Sequence, residues 1–234
     1  ISYSKESLAL LFGVFLVIGV YEFCKIVRIN LLISLCIASV SYFLLWNQYD
    51  HLVAKTIITS ISILTSIKLL LYLFNSEKTG FSIATNYCLL IGYIVIPFIL
   101  VNYVAIGVKG YNPKILISIL ILIWTNDTFA YIVGKSIGKT KLFPSVSPKK
   151  TIEGFVGGVI FTIISSVLLS KFFIESKILY IWIIIAVIVS IFSTLGDLIQ
   201  SKFKRVAGIK DSGKIMPGHG GILDRLDSII FVIP

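Results

Sequence analysis

A chain of 234 residues with 57% hydrophobic and only 14% charged side chains is not an ordinary soluble domain, in which about 25% would be charged. Uncharged runs recur along its whole length, so a secretory or transit peptide does not account for them and an integral membrane protein does. The net charge of +10 has no separate basic domain to carry it, which makes nucleic acid a poor partner. It points first to loops rich in Lys and Arg, and second to anionic headgroups or phosphorylated substrates.

Seven apolar runs, near 8–24, 31–46, 52–74, 82–106, 114–134, 154–174 and 178–199, are long enough or nearly so to span a membrane. The second is short for a hydrocarbon core about 30 Å thick. An eighth begins at Ser228 and stops at Pro234, too few residues to cross. The first residue is Ile rather than Met, so both ends read as trimmed, with at least one spanning helix incomplete. The expected fold is all-α: a polytopic membrane helical bundle of seven spans plus the start of an eighth. Cys24, Cys36 and Cys88 all lie in apolar runs without metal or redox spacing and read as small packing residues.

Charge placement orients the bundle. If the loop at 25–30 is cytoplasmic, the inside segments 25–30, 75–81, 135–153 and 200–227 hold fourteen Lys and Arg, and the outside segments hold six. The positive-inside rule favours this topology. The loops 135–153 and 200–227 are polar and rich in Gly and Pro, as ordered, turning and functional loops are.

Most acidic residues fall in loops, but Asp127 and Asp197 do not. Asp127, beside Asn126 and two threonines, interrupts the fifth span. A carboxylate at that depth costs about 2.5–3.5 kcal/mol even on the lenient insertion scale and usually marks function. Asp197 lies near the inner end of the seventh span, and Asp224 and Asp227 open the last helix from inside, three residues apart on one face. Arg225 between them points about 100° away. Four carboxylates at one depth beside basic loops suggest Mg²⁺, which takes one or two carboxylates together with phosphate oxygens. Lys202, Lys204, Arg205, Lys210, Lys214 and Arg225 are the cations available to neutralise a polyphosphate, and Ser147, Lys149, Lys150 and Thr151 form a second polar set. The stretch GHGG at 218–221 reads either as a plain turn or as a close backbone approach to phosphate at a helix start, with His219 a contact or a loop residue.

The run S-K-F-K-R-x4-K-D-x-G-x3-P-G-H-G-G-I-L-D-R-L-D-S at 201–228 closely resembles the hallmark of the phosphatidate cytidylyltransferases (CDP-diacylglycerol synthases). W-T-N-D-T-F-A-Y-I-V-G-K at 124–135, G-K at 138–139 and S-P-K-K-T-I-E-G at 147–154 resemble the family's other polar segments, and YEF at 21–23 resembles an N-terminal element. The resemblance implies that CTP and phosphatidate give CDP-diacylglycerol and pyrophosphate with Mg²⁺, in a homodimeric polytopic protein, with K⁺ beside Mg²⁺ in a dinuclear centre. It implies metal binding by Asp197 and Asp224 with Asp227 adjacent, and roles in the same centre for Ser201, Lys204 and Arg205. Lys210, Asp211, His219, Gly220 and Gly221 belong to the hallmark as substrate-binding positions. On this reading residues 1–110 are N-terminal transmembrane helices, and residues 111–234 are a catalytic transmembrane region facing the cytoplasm, in a bacterial plasma membrane. A CTP transferase acting on another lipid phosphate, such as an archaeal diether, is the near alternative. A cation transporter using Asp127 and Asp197 is the remote one, because transport sites tend to lie at the midplane.

Overall fold

In the computed structural model the apolar runs are helices, as they must be where hydrocarbon offers the backbone no hydrogen-bond partner. The structure describes residues 4–46, 51–75, 80–107, 110–174, 178–213 and 220–234. In chain order these form α1 (Lys5–Val27), α2 (Leu31–Trp46), α3 (Leu52–Phe74), α4 (Ile83–Leu89), α5 (Ile96–Ala105), β1 (Ile106–Gly107), β2 (Gly110–Tyr111), α6 (Lys114–Ile137), β3 (Lys141–Phe143), β4 (Ser147–Thr151), α7 (Ile152–Phe172), α8 (Leu179–Val206) and α9 (Leu223–Val232). α4 runs through a π-helical turn, Leu90–Val95, into α5. Counting that stretch as one, six described helices are long and apolar enough to cross a membrane, and α2, at 16 residues, is the short one. The chain is therefore an all-α polytopic membrane protein, with six long spans where the sequence suggested seven.

The stretch Ile83–Ala105 is the axis of the bundle. Of its apolar window 83% is buried, against 22–44% for the other long helices. Its π turn has a local cause. Pro97 has no N–H to give to the carbonyl of Tyr93, and the ladder slips by one residue, so that Ile96 N–H donates to the carbonyl of Ile91. α1, α2 and α3 pack against this axis, and α6 and α9 also reach it. α7 turns small residues, Gly154, Gly157 and Gly158, toward α6, and these two helices form the most extensive pairing in the bundle. One continuous apolar cluster runs from Leu8 of α1 to Phe231 of α9.

Two expected loops are partly regular structure. α8 continues to Val206, well beyond the apolar run that ends at 199, so the polar segment 200–227 begins as helix. Lys204 and Arg205 suit a helix C-terminus electrostatically, and Ile209 N–H closes the end on the carbonyl of Lys204 (2.9 Å). In the segment 135–153, α6 extends to Ile137, and β3 and β4 form an antiparallel hairpin with Lys141 opposite Thr151. A second short hairpin, β1–β2, links α5 to α6. Short polar hairpins of this kind carry little periodicity to read.

Lys202 is not a polyphosphate contact. It is buried, and its ammonium donates to the carbonyls of Tyr72, Leu73 and Asn75 (2.5, 3.4 and 2.6 Å), capping the end of α3. Its charge also lies over the Tyr72 ring, 4.2 Å from the centroid. Three carbonyls at a helix C-terminus are a good partner for one ammonium. Lys202→Met is therefore expected to lower stability by about 1.5–3 kcal/mol, read as denaturant unfolding in detergent, and to leave the CTP dependence of any activity unchanged. The cysteines are also divided: Cys24 is buried, but Cys36 and Cys88 are exposed on their helices, so packing accounts for only one of the three.

Candidate functional site

A cavity of about 660 Å³ opens where the C-terminal halves of α6 and α8 meet the starts of α7 and α9, with the β3–β4 hairpin alongside. Helical spacing explains what each element presents. α6 offers successive turns, Asn126 and Asp127, then Ala130 and Tyr131, then Gly134 and Lys135. α8 offers Thr194, Asp197 and Lys204, and α9 offers Asp224, Asp227 and Ser228. The hairpin adds Lys141, Leu142, Lys149, Lys150 and Thr151, and α7 contributes Phe155.

The four aspartates do not share one environment. Asp197 is ion-paired with Lys150 and accepts a hydrogen bond from Ser201 Oγ (3.2 Å). Asp127 accepts from Ser193 Oγ (3.3 Å) and Asn126 Nδ2 (3.4 Å). Asp227 is buried and accepts from the N–H of Ser228 (2.7 Å). These three lie within electrostatic range of one another, and Lys150 acts on all of them. Three carboxylates around one ammonium make this the acidic half of the cavity. α9 can bring Asp227 so near α8 because residue 196 is glycine: a Cβ there would stand 2.6 Å from the carbonyl oxygen of Asp227.

Asp224 is held differently. One oxygen takes the Lys204 ammonium (2.6 Å), and the other accepts the N–H groups of Ser212 (2.8 Å) and Gly221 (3.0 Å). It organises the loop that enters α9 while still facing the cavity. The chain on either side of the hairpin is anchored in a similar way. Glu153 accepts the amides of Lys139 (3.1 Å) and Thr140 (3.0 Å), and Thr151 Oγ1 caps α7 by accepting Gly154 N–H (3.2 Å).

The cavity thus gathers Asn126, Asp127, Lys149, Lys150, Thr151, Asp197, Lys204, Asp224 and Asp227 from the residues singled out in the sequence. Others lie apart from its lining. Ser201 acts through Asp197, and Ser147 pairs with Phe143 in the hairpin. Arg205 is exposed and donates to the carbonyl of Ile209 (3.4 Å); Lys210, Asp211 and Arg225 are exposed as well. Gly220 and Gly221 belong to the loop before α9, whereas His219 and Lys214 lie outside the described residues. The sequence reading gave no site role to Glu22, which is fully buried in α1, nor to Thr194, Ser228, Tyr131, Lys135 and Lys141, although Glu22, Tyr131, Lys135 and Ser228 lie in the motifs quoted above. Asp127 and Asp197 are therefore not the only acids inside the spans. The membrane-depth cost that singled out Asp127 applies equally to a glutamate in an apolar helix.

The cytidylyltransferase family pattern matches residues 1–234. A protein of Staphylococcus saprophyticus named phosphatidate cytidylyltransferase is 52% identical over 114 residues, 49% of this chain and 44% of the relative. One of the same name from Staphylococcus haemolyticus is 53% identical over 116 residues, with the same coverage. One from Staphylococcus epidermidis is 42% identical over 140 residues, 57% of this chain and 54% of the relative. The chain spans about half the length of the curated relatives it matches. A family pattern that covers every residue, on a helical bundle whose polar residues converge on one acidic and basic cavity, leads to one conclusion: this chain belongs to the cytidylyltransferase family.

Proposed function

We propose that the chain carries the site of an integral membrane phosphatidate cytidylyltransferase, which joins CTP and phosphatidate into CDP-diacylglycerol and releases pyrophosphate. The observation that carries this reading is the cavity itself, where aspartates from α6, α8 and α9 face lysines from α8 and the hairpin. The names of the relatives agree with it. By the positive-inside argument this end of the bundle faces the cytoplasm, and we place the protein in a bacterial plasma membrane as a homodimer. The location has a physical reason. CTP is a soluble polyanion, while phosphatidate keeps its acyl chains in the bilayer, so only a site at the boundary serves both.

The reaction forms a bond between a phosphatidate phosphate oxygen and the α-phosphorus of CTP, and breaks the α–β bridging P–O bond. Pyrophosphate leaves with that electron pair. A phosphate monoester with its second pKa near about 6 is largely dianionic at neutral pH, so the nucleophile needs no strong base and none is assigned. Positioning and charge neutralisation are what such a transfer demands. Lys149, Lys150 and Lys204 stand where they can pair with phosphate oxygens, and Tyr131, Leu142 and Phe155 give the cavity an apolar wall.

Mg²⁺ fits this donor set. It takes oxygen ligands and needs only one or two carboxylates beside phosphate oxygens and water, and Asp127, Asp197 and Asp227 outnumber the single ammonium among them. Asp197 and Asp227 would hold it. Among the described residues no three His, Cys, Asp or Glu side chains form a ligand cluster by themselves, which leaves the remaining positions to substrate oxygens and water. When bound, Mg²⁺ supplies charge neutralisation at the phosphates and a template for the attacking and leaving oxygens. The K⁺ that the resemblance implies beside it would compete with Lys204 for Asp224.

The test is direct. Purified protein in detergent is given CTP labelled at the α-phosphate, Mg²⁺ and phosphatidate, and the lipid is extracted. Label is expected in the organic phase as CDP-diacylglycerol. Label that stays aqueous overturns the reading, and transfer only to an ether-lipid phosphate replaces the substrate.

A further inference from the structure

Glu22 lies in the penultimate turn of α1 and is fully buried. No ion pair to it occurs among the described residues. Its carboxylate instead accepts three hydrogen bonds from one distant segment: Ile222 N–H (3.0 Å), Leu223 N–H (2.9 Å) and Ser212 Oγ–H (2.8 Å). A buried carboxylate is costly unless its oxygens are hydrogen-bonded, and these three donors engage both of them. The fit excludes side chains on the opposing loop. A Cβ at Gly221 would fall inside contact distance of both Glu22 oxygens.

The donors are the ones that matter for the cavity. α9 has no side-chain cap of its own, and the amides at its start are claimed by two carboxylates. Gly221 N–H goes to Asp224, and the next two amides go to Glu22. Ser212 bridges both acids, its N–H on Asp224 and its hydroxyl on Glu22. An anion at a helix N-terminus is favoured by the dipole and by the unpaired amides. The first turn of α9 carries Asp224 and Asp227, so its placement depends on α1 as well as on α8.

We infer that Glu22 is a positioning residue of the transferase: from α1 it caps the start of α9 and ties Ser212 to it, setting Asp224 and Asp227 against Asp197 for metal and nucleotide. This rests on the enzyme reading above. Glu22→Gln has nearly the same size but turns an amide N–H₂ toward N–H donors.

The test compares wild type, Glu22→Gln, Glu22→Asp and Ser212→Ala as full chains in detergent. For Glu22→Gln, kcat is expected to fall about tenfold or more, with a higher Mg²⁺ concentration for half-maximal activity. Without metal or nucleotide, deuterium uptake over 220–228 should rise while the rest of the bundle stays protected. Glu22→Asp, which keeps the charge, should recover part of the loss. Ser212→Ala removes one donor of three and should shift both readouts in the same direction by a smaller factor, and it decides the matter if Glu22→Gln does not fold. A purely structural role would lower the unfolding midpoint and leave kcat per folded molecule and the Mg²⁺ midpoint unchanged. That result, with an active wild type, overturns the inference alone. An inactive wild type overturns the enzyme reading and this inference with it.

Discussion

Asp197→Asn is expected to reduce kcat/KM for nucleotide transfer by at least about 100-fold while the protein stays folded and inserted. The separation of the two effects follows from where the side chain sits. Asp197 is about one-third exposed, and its partners are the ammonium of Lys150 and the hydroxyl of Ser201. Asparagine keeps the volume and an oxygen for Ser201, so little packing is lost and the unfolding midpoint should hardly move. What disappears is one of the three acidic side chains that make up the acidic half of the cavity. A carboxylate whose task is to hold a divalent ion cannot be replaced by its amide without a large loss. The measurement is label transfer from CTP to lipid across a Mg²⁺ series, with circular dichroism and thermal unfolding on the same samples. A variant that keeps full activity removes Asp197 from the metal assignment.

The site was legible in the sequence where chemistry conflicts with its surroundings. Asp127 stands out because it is the one charge between Lys114 and Lys135, and Asp197, Asp224 and Asp227 follow from topology, since α6 and α8 end where α9 begins. Lys202 and Lys204 show what periodicity leaves open. They are two residues apart in one basic run, hence about 200° apart around a helix, and one caps α3 while the other meets Asp224. Which of them faces the cavity depends on where α3 ends, and α8 contains no sign of that. Glu22 was obscure for a related reason. Its donors lie 190 to 201 positions away, and two of them are backbone amides that any residue type would supply. The β3–β4 hairpin was hidden by its brevity, with too few residues for alternation to register.

The pair Lys204–Asp224 is where stability and catalysis can be separated most cleanly. Both side chains are about nine-tenths buried, with 11% exposure each, and removing one member of such a pair leaves the other charge uncompensated. Lys204→Ala is expected to destabilise the fold by about 3 kcal/mol and to suppress transfer, because among the described residues Asp224 then keeps the amides of Ser212 and Gly221 but no cation. Those amides make the double variant informative. In Lys204→Met/Asp224→Asn no charge is stranded, the asparagine oxygen still accepts both N–H groups, and the methionine fills the space of the lysine stem. Stability should return to within about 1 kcal/mol of wild type, whereas transfer should remain at least about 100-fold down, since the ammonium and the carboxylate facing the cavity are both gone. Denaturant unfolding and the label-transfer assay on wild type, both single variants and the double variant complete the cycle. Recovery of activity together with stability would make Asp224 a structural residue only, and a double variant as unstable as the two single losses added together would show that the pair is not coupled. Stability regained without activity would place the charges themselves, and not merely the loop they order, in the reaction.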